Sequence, residues 1–383
     1  VVIVGGGTAG CATALSLVRS KPDATILILD DADPMSFKIG ESLPADAKHI
    51  LAYLSLEFLT QLSKDISNGL HKKCTGNASA WGAPWLEETY AMMNPFRMGY
   101  HLDCAKFDQS LRDAVASTLK SPSGVSKSIF TSVERQSNPE HWVISTRDLN
   151  SQEPKVFTAC WVIDASGRKA SLAHKLGANT VKSDSLLVFY ALFVSPPTTQ
   201  DRDYHTLIES SESGWWYSSQ LPNNHCVVIY HTDDSDPSSR DTRKLDGFLN
   251  LLSHQTTYIS ALIADGEYDL VVDAKARQLR CTAARSSYLE PFLDAGDILK
   301  WCAVGDAAMA FDPLSSQGMI TALKMGSLVS DVVAQDLHGT EGLDITSKIT
   351  DVYSQVHSKY EKEKRYYYKQ VMRFDGDFWR VRR

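Results

Sequence analysis

The sequence predicts an α/β fold in which a Rossmann-like nucleotide-binding domain carries an inserted antiparallel β domain and ends in helices. Three observations predict it. An apolar strand at the start runs into a glycine turn and a small-residue helix; β-forming segments fill the stretch from about 181 to 290; and a late apolar strand runs into Gly305-Asp306, followed by long helical periodicity. The expected organisation assigns 1–70, 100–180 and 291–340 to the nucleotide domain. It assigns 71–99 and 181–290 to the inserted domain, and 341–383 to a C-terminal helical segment.

The first thirty residues read as a βαβ unit. The strand from Val1 enters Gly5-x-Gly7-x-x-Gly10, a helix over residues 8–19 follows, and the second strand, Ile26–Asp30, ends on a carboxylate. Gly5 permits the tight turn, Gly7 lets a pyrophosphate approach the backbone and Gly10 lets helix and strand pack closely; Asp30 is placed to accept a ribose hydroxyl. The Thr8, Ala9 and Gly10 amides open the helix, where unpaired N–H groups and the dipole favour phosphate. After a loop, Ile39-Gly-Glu-Ser-Leu-Pro44 feeds a helical pattern over Ala45–Leu59. Glu41 and Ser42 are candidates to touch a cofactor or substrate, a helix cap being the alternative. Residues 66–99 read as strands and loops, and Tyr100–Leu119, with Phe107, Leu111 and Val115 at four-residue spacing, as a helix.

Strands are expected at Ile129–Glu134, His141–Arg147 and Val156–Asp164, then at Leu186–Val194, Gly214–Leu221, Cys226–His231 and Lys275–Ala284. Thr232–Arg243 reads as an exposed loop and Leu245–Ile263 as a helical connection. Ile298–Val304 is the last strand, Met319–Leu337 and Ile345–Met372 the last helices. The Lys359–Lys369 run, with both signs of charge, reads as a solvated helix face.

Net charge of −7 and a pI near 5.9 exclude a general nucleic-acid binder. No apolar run approaches the length of a membrane span. The seven cysteines stand singly, without a CxxC pair or metal-ligand spacing, which fits a reducing, cytoplasmic compartment and no metal site. The chain opens inside a strand, so residues before Val1 are expected.

Two glycine-bearing sites favour FAD over a nicotinamide dinucleotide. The chain returns some three hundred residues after the first turn to place Gly305-Asp306 and a helix start beside the same ligand. Asp306 can accept from a ribityl chain, and Gln317, Gly318 and Met319 can turn backbone N–H groups toward a pyrimidine edge that is anionic in reduced flavin.

The early glycine fingerprint, Asp164-x-x-Gly167 and Gly305-Asp306 together resemble the three signatures of the aromatic-hydroxylase type of FAD monooxygenase. Within it, Ile39–Pro44, Ser79-Ala-Trp-Gly82, Gly99-Tyr-His-Leu-Asp103 with Phe107-Asp108, Gly214-Trp-Trp-Tyr217, Phe311-Asp-Pro-Leu-Ser-Ser-Gln-Gly318 and Phe378-Trp-Arg380 resemble the tryptophan-halogenase-like branch. They are most similar to its non-halogenating members, flavoproteins that hydroxylate tryptophan in maturing quinone-cofactor enzymes, namely the lysine ε-oxidase partner and the quinohemoprotein amine dehydrogenase maturase. The resemblance implies an aromatic-hydroxylase-type fold and hydroxylation of an aromatic, indole-like substrate by oxygen activated at C4a of the reduced flavin. It also implies that Pro313 turns the chain beside the flavin's active face. Halogenases of this branch carry Trp-x-Trp-x-Ile-Pro where this chain has Tyr217-Ser-Ser-Gln-Leu-Pro222, and a lysine where it has Asn77. Both departures point away from halogenation. A third is Cys104, where the hydroxylating relatives often have arginine.

An aromatic-walled pocket is expected from Trp81, Trp85, Trp215, Trp216 and Tyr217, with Glu41, His101 and His231 as candidate proton handlers. Partners are O₂, a small or peptide-borne aromatic, and NAD(P)H acting directly or through a flavin reductase, because no second dinucleotide fingerprint is present. Alternatives are a flavin halogenase, a flavin oxidase or desaturase, and a flavin-binding maturation partner of another protein.

Overall fold

The computed structural model describes residues 1–33, 37–197, 205–272, 277–296 and 298–383. Its first sheet has eight strands in the order Pro154–Ala159, Glu140–Asp148, Gly124–Ser137, Leu27–Asp30, Val2–Val4, Trp161–Asp164, Lys300–Ala303, Leu293–Ala295. The run from Gly124–Ser137 to Lys300–Ala303 is parallel throughout. Of these, Leu27–Asp30, Val2–Val4, Trp161–Asp164 and Lys300–Ala303 are short and mostly apolar because helices cover the sheet there, Thr8–Ser20 packing against Gly318–Leu337. Close contact of those two helices needs small residues. A Cβ on Gly326 would meet the Ala9 carbonyl oxygen at 2.7 Å, and one on Gly305 would meet the Ala9 Cβ at 2.7 Å.

The second large sheet orders Asp269–Leu270, Leu186–Val194, His225–Asp233, Gly214–Gln220, His205–Ser211, Gly76–Ala80 and Glu87–Tyr90, with Leu279–Ala283 also pairing Leu186–Val194. Both of its faces are covered. Trp216, Val228 and Tyr230 pack with Phe248 and Leu252 of the helix Leu245–Gln255. Trp215, Tyr217, Val227 and Ile229 face the other way, toward Trp81, Tyr368 and Trp379. Ser42–Leu43, Gly99–His101 and Lys72–Cys74 form a separate small sheet.

Several expected elements are divided by local chemistry. Ala45–Leu59 becomes Ala47–Leu54 and Leu56–Ser67, because Ser55 is extended and its hydroxyl caps the second helix at Phe58 N. Gly99–His101 is strand, and the helix starts at Cys104, capped by Asp103. Leu245–Ile263 breaks before Tyr258–Asp265, whose N-terminus is held by the buried Glu209 carboxylate accepting from Thr257, Tyr258 and Ile259 N. The expected loop Thr232–Arg243 holds a helical turn, Pro237–Asp241. Of the expected strand Lys275–Ala284, residues 275–276 lie outside the described residues, and Leu279–Ala283 is strand. Within the Lys359–Lys369 run, Tyr360 and Tyr368 are buried, so a stripe of this helix packs inward and only the rest meets solvent. Among the described residues no helix is long and apolar enough to cross a membrane.

Candidate functional site

Four neighbouring parallel strands end on the same edge of the first sheet, and their ends carry Asp30, Gly5, Asp164 and Gly305. The carboxyl ends of parallel strands are where open α/β sheets bind ligands. Gly5 has φ +111, and a Cβ there would run into the Ala165 carbonyl; Gly7 has φ −81 and open space where its Cβ would stand. The turn is therefore tight on the protein side at Gly5 and open around Gly7. Asp164 is spent on the fold: Oδ1 accepts from Ser166 N and Oγ, and Oδ2 from Ala173 N at 2.8 Å.

The helices Thr8–Ser20 and Gly318–Leu337 both start without a side-chain cap and without an acid in the first turn. Unsatisfied N–H groups at both starts are what an anionic dinucleotide requires. Asp30 is buried, with Oδ1 accepting from Gly6 N at 3.2 Å; Oδ2 lacks a hydrogen bond but lies 3.4 Å from Arg112 Nε. Asp306 is partly open to solvent and 3.6 Å from Arg168 Nε. The residues present fit FAD: a glycine cradle that a side chain would fill, two uncapped helix starts and an Asp30 oxygen with no hydrogen bond.

A second polar group lies where the small sheet meets the second large one. Buried Glu41 accepts from Ser219 Oγ at 2.8 Å and from Gly40 N at 3.0 Å. The Tyr217 hydroxyl makes no hydrogen bond of normal geometry; burial first, and Glu41 next, hold it well above the ordinary phenol range. His101, which pairs Ser42 in the small sheet, bonds Thr206 Oγ1 through Nε2 at 3.0 Å, and its Nδ1 has no partner. Burial pushes the neighbouring Cys74 thiol up, but His101, the Gly76 backbone and Thr206 outweigh it and bring the thiol to about 7. Glu41 and Tyr217 thus group with Ser219, and His101 with Thr206 and Cys74, while Ser42 pairs His101 in the small sheet.

The other predicted residues are elsewhere. Alternation along Gly214–Gln220 sends Trp216 to the opposite face from Tyr217, where it stacks on Tyr230 and donates to Gln255 Oε1. Trp81 sits in an aromatic core with Trp215, Tyr368 and Trp379, its indole N–H taken by Tyr367 O at 2.8 Å; Trp85 is exposed. His231 stacks on Trp215 at 3.4 Å, and burial lowers it to about 3. Its ring is neutral across the physiological range, unlike a proton handler poised near neutrality. Pro313 begins the turn Pro313–Ser315, which leads to Gln317, Gly318 and Met319 at the start of the late helix.

His231 makes stability depend on pH. The unfolded chain takes its proton as pH falls through 6.5, the folded chain only near 3, so the stabilisation is complete above 6.5 and is lost progressively below it. Between pH 6.5 and 4.5 the wild type is expected to lose roughly 2–3 kcal/mol more than His231→Gln in urea unfolding. Parallel pH profiles would refute the assignment.

Ser219, Arg112 and Thr206 escaped the sequence. Arg112 alone left a signal, a charge on the face of its helix that carries Phe107, Leu111 and Val115. Ser219 and Thr206 left none, because strand polarity does not show what a neighbouring domain presents.

No protein-family model matches the chain. FAD-dependent oxidoreductase LodB of Marinomonas mediterranea is 26% identical over 370 residues, 95% of this chain and 93% of that protein. The myxobacterial chondrochloren halogenase CndH, an FAD-dependent halogenase, superposes with a TM-score of 0.79 at 19% identity, covering 100% of this chain and 85% of the other. The peptidyl tryptophan dihydroxylase QhpG, essential for tryptophylquinone cofactor biogenesis, gives 0.74 at 19%, with 100% and 78% coverage. The comparisons bear out the resemblance read from the motifs, and the α/β architecture is that of the flavin halogenases and aromatic hydroxylases.

Proposed function

We propose that this chain is an FAD-dependent monooxygenase that hydroxylates an aromatic, indole-like substrate. The observation that carries the reading is the convergence of two uncapped helix starts and a glycine turn with room at Gly7 on the edge where four parallel strands end. The full-length likeness to an FAD-dependent oxidoreductase and the fold shared with a tryptophan dihydroxylase support it. Gly5, Gly7, Thr8, Ala9 and Gly10 hold the pyrophosphate, Asp30 with Arg112 the adenosine ribose, and Asp306 the ribityl chain. Ser42, Pro313, Gln317, Gly318 and Met319 hold the ring end. FAD, when bound and reduced by NAD(P)H directly or through a reductase, supplies oxygen activation. The chain's own part is orientation, exclusion of water and proton handling.

Glu41 is the proton acceptor of choice. Its carboxylate is buried, held at both oxygens and close to the buried Tyr217 hydroxyl. His101, held by Thr206 Oγ1, is the second proton handler of this reading. The packed Trp81, Trp215 and Trp379 cluster closes one side against water.

The test is to purify the chain, titrate FAD, follow NADPH oxidation with and without a flavin reductase, and analyse aromatic products made under ¹⁸O₂. One labelled oxygen in the product is expected. Failure to bind FAD sinks the reading, a product without label indicates oxidase or desaturase chemistry, and chloride or bromide incorporation indicates a halogenase. No turnover of small aromatics, with capture of a client polypeptide, indicates a maturation partner.

A further inference from the structure

The long C-terminal helix Ile345–Gln370 buries a stripe of polar side chains, and that stripe reaches both late loops. Tyr353 donates to the Ala303 carbonyl, one residue before Val304-Gly305-Asp306. Seven residues on, Tyr360 OH accepts from Asp312 N at 3.1 Å, shares a bond with Ser286 Oγ at 2.7 Å, and its ring stacks on Phe311 at 4.2 Å. Lys364 donates to Asp184 Oδ2 at 3.2 Å and Ser286 Oγ at 3.3 Å. Tyr368 donates to Asp312 Oδ2 at 2.7 Å. Four-residue spacing places Tyr360, Lys364 and Tyr368 on one helix face.

Apart from the packing of Leu314 and a bond from Arg168 to Phe311 O at 3.0 Å just before it, few contacts among the described residues hold the turn they meet. Its internal bonds are Asp312 Oδ1 accepting from Leu314 N at 3.0 Å and Pro313 O accepting from Ser316 N at 2.9 Å. Ser316 is left-handed at φ +51, a conformation that costs a non-glycine residue about 1–2 kcal/mol. The helix that follows starts uncapped. A buried carboxylate persists only if it is bonded, and the Tyr368 hydroxyl supplies the bond to the oxygen the turn leaves free.

We propose that Tyr360 and Tyr368 are positioning residues for the Asp312–Gln317 turn, fixing it, and with it the first amides of Gly318–Leu337, at the ring end of the dinucleotide site. The part concerning the ring end rests on the FAD reading above. Mere packing would need the rings and not the hydroxyls, so Tyr→Phe separates the two.

Hydrogen–deuterium exchange on the FAD-free full chain is the first measurement. In Tyr360→Phe/Tyr368→Phe, exchange at the Asp312, Leu314 and Ser316 amides is expected to rise about tenfold, with the helix Thr8–Ser20 unchanged. If the double variant does not fold, the single variants are read in the same way. Unchanged exchange overturns the proposal. In the FAD-loaded protein the flavin midpoint potential and visible circular dichroism are expected to shift, with FAD affinity within about threefold of wild type because the glycine turn is untouched. Faster exchange with an unchanged potential overturns the ring-end part. If the wild type takes up no FAD, the FAD reading fails, and the exchange result still decides whether the hydroxyls hold the turn.

Discussion

Replacing Gly7 by Asp is expected to leave the fold standing and abolish FAD binding, whereas replacing Gly5 by Ala is expected to damage the fold itself. Gly7 has a φ any L-residue adopts and open space around its Cβ. It is also the N-cap of Thr8–Ser20, where Asp is among the favoured residues, so the free protein should unfold no earlier than wild type. The new carboxylate stands where the phosphates must approach. A like-charge repulsion of about 4 kcal/mol at 4 Å near a protein surface weakens FAD more than about 100-fold. Gly5 is the reverse: φ +111 and the Ala165 carbonyl leave no room for a methyl, at a cost of about 3 kcal/mol. Thermal unfolding and FAD fluorescence titration of both variants separate the two roles. Tight FAD binding by Gly7→Asp would place the pyrophosphate somewhere else.

Removing the Arg382 charge should cost about 3 kcal/mol. Its guanidinium donates to both oxygens of Asp233 at 2.7 and 2.6 Å, gives a further bond to Phe378 O, and lies 4.0 Å over the Phe378 ring. Both side chains are nearly out of water, at 3% and 12% exposure. Arg382→Met leaves the Asp233 charge uncompensated at the end of the strand His225–Asp233. The pair Asp233→Leu/Arg382→Met should recover most of the loss, because an apolar pair of similar volume pays no desolvation. Urea unfolding of wild type, single and double variants forms the cycle. A single-variant loss under about 1 kcal/mol would mean that the pair is hydrated in solution.

Much of the nucleotide end was legible from the chain alone, because its signals are local. A glycine needed for φ +111, a helix start with no cap and an apolar strand ending on Asp30 all lie within thirty residues, and backbone sterics act over that range. Element ends were less legible where one side chain decides them: Ser55 and Asp103 cap helices that apolar periodicity would run together or start earlier. The aromatic candidates show a third case. Trp215, Trp216 and Tyr217 are consecutive, so composition treats them alike, while the two-residue period of the strand sends Trp216 to the other face.

The sequence by itself determined the βαβ start, the late return to it at Gly305-Asp306 and the α/β class, since each follows from spacing along the backbone. The tertiary structure decided what no spacing carries. It sends Trp81 and His231 to aromatic packing, gives Glu41 a serine from 178 positions away, and fastens the Asp312 turn to tyrosines 48 and 56 positions further on. Those contacts depend on which faces two sheets and a distant helix present to one another, and a strand or helix pattern records that a face is buried without recording against what.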